Sequence, residues 1–112
     1  MVELVKTGDL DWEPTNVDGI AGKSLIQFAE GTAKLIRLKP GAQYPKHQHP
    51  KRTEYAYVLS GNAILTVGDK EFEASAGDFL MFPTDTPHAL GNRSEADVLL
   101  FVGAVYHVET AQ

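Results

Sequence analysis

The chain contains no cysteine, one tryptophan and no long apolar run. Without cysteine there can be no disulfide and no thiolate metal site, so any bound metal must be held by nitrogen and oxygen donors. The longest apolar run, Val98 to Val102, is far too short to cross a bilayer, and the opening MVELVKTGDLDWEP has no apolar signal-peptide core. A cytoplasmic protein with no membrane partner is therefore expected. Basic clusters are scarce as well: lysine plus arginine number 10 against 15 acidic residues, the net charge is -5, and no basic run exceeds Lys51-Arg52. That balance argues against a nucleic-acid partner. Helical periodicity with caps is missing beyond a turn or two.

What remains is ordinary globular composition, 43% hydrophobic and 22% charged over 112 residues. The length fits one domain. The boundaries expected are a single domain over 1–112, with an N-terminal arm over about 1–23 and a β-core over about 24–108. Val2 to Val5 could form a short edge strand. The arm then carries Gly8, Asp9, Asp11, Pro14, Asn16 and Gly19, with Trp12 as its one large anchor. Strands are expected over Ser24 to Phe28, Thr32 to Lys39, Glu54 to Leu59, Asn62 to Val67, Lys70 to Ala74, Phe79 to Phe82 and Val98 to Val108, with a further one carrying His47 and His49. Turns fall at Glu30-Gly31, Pro40-Gly41, Ser60-Gly61, Gly68-Asp69 and Ala76-Gly77-Asp78. About nine to eleven short strands at regular spacing indicate an all-β antiparallel sandwich or barrel.

Chemistry concentrates between Gly41 and Gly61, GAQYPKHQHPKRTEYAYVLSG. His47 and His49 are two apart, so on a strand both imidazoles face one way. Glu54, at an odd offset from His49, would face the other way unless the chain turns. Pro50 and the polar run Lys51, Arg52, Thr53 supply that turn, after which a second strand would run back beside the first. His88 is a fourth candidate donor. In the strand from Glu54, Ala56 and Val58 share the glutamate's face, whereas Tyr55, Tyr57 and Leu59 form an apolar opposite face. An apolar outer face calls for a cover, most simply a second copy of the chain, so a homodimer is expected. Between Thr32 and Lys39, the pattern does not say whether Ala33, Leu35 and Arg37 or Lys34, Ile36 and Leu38 lie inside. Arg37 is therefore either a surface charge or an interior contact for an anion. His107 reads as a surface or hydrogen-bonded residue, and Asn92 as a turn residue bonded to backbone.

The run of glycine, five residues, His47, one residue, His49, four residues, Glu54, six residues and Gly61 resembles the first signature motif of the cupin superfamily. Gly77, five residues, Pro83, four residues, His88, three residues and Asn92 resemble the second. The fifteen residues between Gly61 and Gly77 match small single-domain bacterial members. One departure is Asp85, where the family has glycine; aspartate tolerates positive φ better than most residues. The resemblance implies a jelly-roll barrel of six to eight strands. It also implies His47, His49, Glu54 and His88 as ligands of one divalent transition metal ion, and that donor set suits Fe, Mn, Ni, Zn, Cu or Co. Glu54 has a second possible role as general acid or base beside three histidines.

Cupin-like folds host many reactions. The reading favours a metalloenzyme acting on a small oxygen-rich or dicarbonyl metabolite, dioxygenase-like or isomerase/lyase-like, with Glu54, Tyr44 and Arg37 as catalytic candidates. The alternative is a non-catalytic ligand-binding or sensor cupin. Ala56, Val58, Leu65 and Met81 are expected as apolar neighbours of the site, bringing no acid or base.

Overall fold

The computed structural model describes residues 4–107. After a single 3-10 turn at Thr7–Asp9, the described chain forms ten strands: β1 (Glu13–Pro14), β2 (Ile20–Gln27), β3 (Gly31–Leu38), β4 (Gln43–His47), β5 (Arg52–Ser60), β6 (Asn62–Val67), β7 (Lys70–Ser75), β8 (Phe79–Phe82), β9 (His88–Gly91) and β10 (Val98–Tyr106). They build two antiparallel sheets, one ordered β1-β2-β3-β10-β5-β8 and the other β4-β9-β6-β7. This is the expected jelly roll, with no strand pairing across the two sheets among the described residues.

Alternation along each strand decides what fills the space between the sheets. Ile36 and Leu38 on β3, Ala56 and Val58 on β5, Leu65 on β6, and Val98 and Leu100 on β10 are buried in one cluster. Leu38, Val58, Leu65 and Leu100 have no exposed surface at all. Truncating any of these large aliphatics to alanine costs about 2–5 kcal/mol in a packed core. Asn92, also buried, donates from Nδ2 to the carbonyls of Leu38 (3.0 Å) and Ala96 (2.8 Å), while its Oδ1 accepts from the Ser94 amide at 2.9 Å. The turn after β9 is thereby fastened to β3, as expected of that residue.

Several expectations are corrected. The strand expected from Ser24 starts at Ile20, because β1 pairs Glu13 with Gly22 and Pro14 with Ala21 and extends the ladder. Of Val2 to Val5, Leu4 and Val5 are exposed and outside any strand, and Val2 and Glu3 lie outside the described residues. The four-residue strand β9 was hidden by its length. Met81 is 54% exposed rather than interior, since its register partner is outward-facing Tyr55 and the alternation of β8 turns Phe82 inward instead. Most consequential, β5 does not run back beside β4. The two belong to different sheets, β4 pairing with β9 and β5 with β10 and β8.

Outside the six-stranded sheet, two rows cross the strands, Ala33–Gly103–Tyr55–Met81 and Leu35–Phe101–Tyr57–Phe79. Tyr55 lies over Gly103, where an added Cβ would run into its ring. Phe79 is 59% and Tyr57 40% exposed, giving this face an apolar aromatic surface. Farther along it, half-buried Trp12 holds the N-terminal segment down, its ring centroid 4.6 Å from Lys23 Nζ and 4.7 Å from Arg37 Cζ. Lys23 also donates to the Thr7 carbonyl at 2.8 Å. No helix among the described residues is long and apolar enough to cross a membrane.

Candidate metal centre

Strand β4 ends at His47, so His49 stands just beyond it on the segment that crosses to the other sheet. Lys51 completes the crossing in the left-handed region at φ 59. Arg52 then opens β5, which puts Arg52 and Glu54 on one face, turned toward the interior. His88 is the first residue of β9 and the register partner of His47, their ring centroids 4.3 Å apart. The carboxylate on one sheet therefore faces the imidazoles of the other. The loops that carry the candidate donors are tied together: the Asp85 amide donates to the His49 carbonyl at 3.1 Å, and Thr53 Oγ1 hydrogen-bonds both Thr84 Oγ1 (2.9 Å) and His107 Nε2 (2.6 Å). His107 is thus hydrogen-bonded, one of the two roles expected for it.

One nitrogen or oxygen donor from each of His47, His49, Glu54 and His88 lies within 4.8 Å of all the others. His47 Nδ1–H donates to the Pro45 carbonyl at 2.9 Å, which leaves Nε2 as that ring's free electron pair. His88 makes a stronger point. Its Nδ1 is 3.1 Å from the Thr86 carbonyl and its Nε2 is 3.1 Å from Glu54 Oε2, and both partners are acceptors. A neutral imidazole has one N–H, so with Nδ1–H on the Thr86 carbonyl the Nε2 electron pair of His88 would be free to ligate a metal beside Glu54. The donor set and its placement fit a divalent transition metal.

Electrostatics favour the ligand forms of two groups. Burial first, then the Arg52 guanidinium, holds the His49 pKa below its ordinary 6.5. For Glu54, burial alone would raise the pKa, but the hydrogen bond from His88 and the charge of Arg52 outweigh it and bring the value to about 2. Arg52 Nη2 reaches Glu54 Oε1 at 2.6 Å, and His49 Nε2 is 3.6 Å from the same oxygen.

The cluster opens into a cavity of about 590 Å³ between the sheets. Tyr44 lines it, its ring 4.9 Å from that of His47 and edge-on. Arg37 does not; it lies on the outer face under Trp12. Ala56, Val58 and Leu65, expected as apolar neighbours of the site, are buried in the core and do not line the cavity, whereas Arg52, Lys34, Thr32 and Gln27 do. Arg52, expected in the turn, instead opens β5 two residues before Glu54 and therefore shares its face.

Residues 34–103 match the cupin domain model. The chain belongs to the cupin family. Among curated relatives, this cupin is 37% identical over 73 residues to a probable oxalate decarboxylase of Arthroderma benhamiae, a match covering 61% of the cupin and 18% of that protein. The cupin thus spans under a fifth of that relative's length. Among solved structures it resembles a predicted oxalate decarboxylase from Thermotoga maritima, with TM-score 0.86 and 18% identity over 93% of the cupin and 99% of that chain. It also resembles KdgF from a Halomonas species, with TM-score 0.83 and 19% identity over 96% of each chain. At such identities the structural likeness concerns the fold.

Proposed function

We propose that this cupin is a metal-dependent enzyme acting on a small oxygen-rich or dicarbonyl metabolite, with His47, His49, Glu54 and His88 as the ligands. The observation that carries the reading is the convergence of these four donors at the wall of a cavity of about 590 Å³, within the range that encloses a small metabolite. A relative named as a probable oxalate decarboxylase supports a compact, oxygen-rich substrate. The bound metal supplies Lewis-acid polarisation of a substrate oxygen. The chain's own part is to hold the His47 and His88 imidazoles by their Nδ1–H groups against the Pro45 and Thr86 carbonyls, keep Glu54 ionised beside Arg52, and present Tyr44 as a proton-handling group. We assign a homodimer to the aromatic outer face of the six-stranded sheet.

The test begins with elemental analysis of protein purified without a histidine tag. A first-row metal near one equivalent is expected in the wild type, falling to a small fraction in His47→Ala, His49→Ala and His88→Ala. Full occupancy in all three variants would overturn the ligand assignment. A screen of hydroxy and oxo acids with oxygen-consumption and ultraviolet readouts then seeks turnover that disappears on chelation.

A further inference from the structure

The polar part of the cavity wall is ordered by strand register. Glu54 on β5 pairs with Ala104 on β10, Ala104 with Thr32 on β3, and Thr32 with Gln27 on β2. Thr32 and Gln27 both line the cavity, so one row leads from the donor cluster across the sheet to two uncharged polar side chains. Neighbouring strands are about 4.8 Å apart, which places Thr32 about 10 Å from the strand of Glu54. Cations flank the row: Arg52, paired with Tyr106, on one side, and Lys34, paired with Ser24 and Val102, on the other. Glu54 is the only acid among the described residues lining this cavity, although the chain as a whole carries a net charge of -5.

Arg52 has donors to spare. Its Nη2 bonds Glu54 Oε1 at 2.6 Å, the guanidinium carbon stands 5.7 Å from the centroid of the Tyr106 ring, and Nε is shut off from solvent, so the donor capacity left for a ligand lies at the Nη groups. A planar guanidinium held against an aromatic ring presents its remaining N–H groups in a fixed fork suited to a carboxylate. We infer that the cavity selects a polyhydroxylated carboxylate, its anionic end bonded by Arg52 beside the donor cluster and its hydroxyl chain laid along Thr32 and Gln27, with Lys34 adding a second positive charge. Arg52 is then the specificity-determining residue. This inference rests on the proposed reading of the cavity as a substrate site and deepens it with a substrate class.

The test is isothermal titration of zinc-loaded and metal-free protein with three probes: gluconate, the neutral polyol glucitol, and the unhydroxylated carboxylate hexanoate. Gluconate is expected to bind wild type at least about ten-fold more tightly than either other probe, as sites that pair with polar groups reject analogues lacking them. Arg52→Gln should weaken gluconate by about ten-fold or more and leave glucitol unchanged, Arg52→Lys should recover part of the loss, and Lys34→Gln should cost a few-fold. Thr32→Val should weaken gluconate but not hexanoate. Circular dichroism melts check that each variant folds, and if Arg52→Gln does not, Arg52→Lys and Lys34→Gln carry the comparison. Gluconate affinity unchanged in the Arg52 variants, glucitol bound as tightly as gluconate, or no gluconate binding would overturn the inference. Zinc content is measured separately, so loss of the metal reading with Arg52-dependent gluconate binding intact, or the reverse, tells the two failures apart.

Discussion

Glu54 is where opposite electrostatic demands meet. Its carboxylate is taken out of water, which disfavours the charge, yet His88 and Arg52 hold it ionised with a pKa of about 2, against an ordinary 4.5. A depressed carboxylate pKa stabilises the fold at every pH above the unfolded value and loses that contribution as pH falls from 4.5 toward 2. His49 is likewise held below 6.5, so its neutral form favours the fold above 6.5 and the contribution starts to fade below it. Thermal melts of metal-free protein should therefore show a first decline beginning near pH 6.5 and a second between 4.5 and 2. Glu54→Gln should shrink the second, leaving the part that comes from Glu71, whose pKa its hydrogen bond to Arg93 also lowers. A variant that keeps the full acid limb would show that another carboxylate causes it. Added metal competes with protons for the same donors, so the metal-loaded protein should gain stability as pH rises through the same range.

The left-handed backbone positions of the described residues all fall in the connections between strands. Gly61 joins β5 to β6 at φ 84, and a Cβ there would stand 2.6 Å from the Asp97 carbonyl oxygen, a backbone atom that cannot swing aside. Gly61→Ala combines an unfavourable dihedral with that clash and should cost about 1–3 kcal/mol, read from chemical denaturation. Asp85 holds φ 59 while its amide bonds the His49 carbonyl. Asp85→Gly should change stability by less than about 1 kcal/mol, the relief of left-handed strain being partly offset by a freer unfolded chain. Asp85→Val, branched at Cβ, should be the worse variant by more than about 1 kcal/mol and should also lower metal content, since the His49 segment hangs on that amide. Equal stability of the Gly and Val variants would show that the left-handed conformation at 85 is not required. At this scale the motif glycines and the Gly68-Asp69 hairpin were legible, because turn chemistry is local. Strand pairing was not. A turn of the right composition between His49 and Glu54 fits a hairpin and a crossing between sheets equally well, and only long-range partners decide between them.

For the whole molecule, the aromatic face made by Tyr55, Tyr57, Phe79, Met81 and Phe101 is the surface to which the homodimer is assigned. The proposed homodimer predicts that Tyr57→Asp and Phe79→Asp convert a dimer to a monomer in size-exclusion chromatography with light scattering. Both residues are 40% or more exposed, so neither change should abolish folding. An unchanged mass for both would count against this face as the interface.

The sequence by itself determined the donor types and an all-β chain, because donor chemistry and strand periodicity are properties of nearby residues. Four facts waited for the tertiary structure: that β4 and β5 belong to different sheets, that Arg37 lies under Trp12, that Met81 points outward, and that Arg52, Lys34, Thr32 and Gln27 share one wall. The reason is physical. Which face of a strand turns inward depends on the register of its partners, and here those partners lie tens of residues away, as Arg52 does from Tyr106.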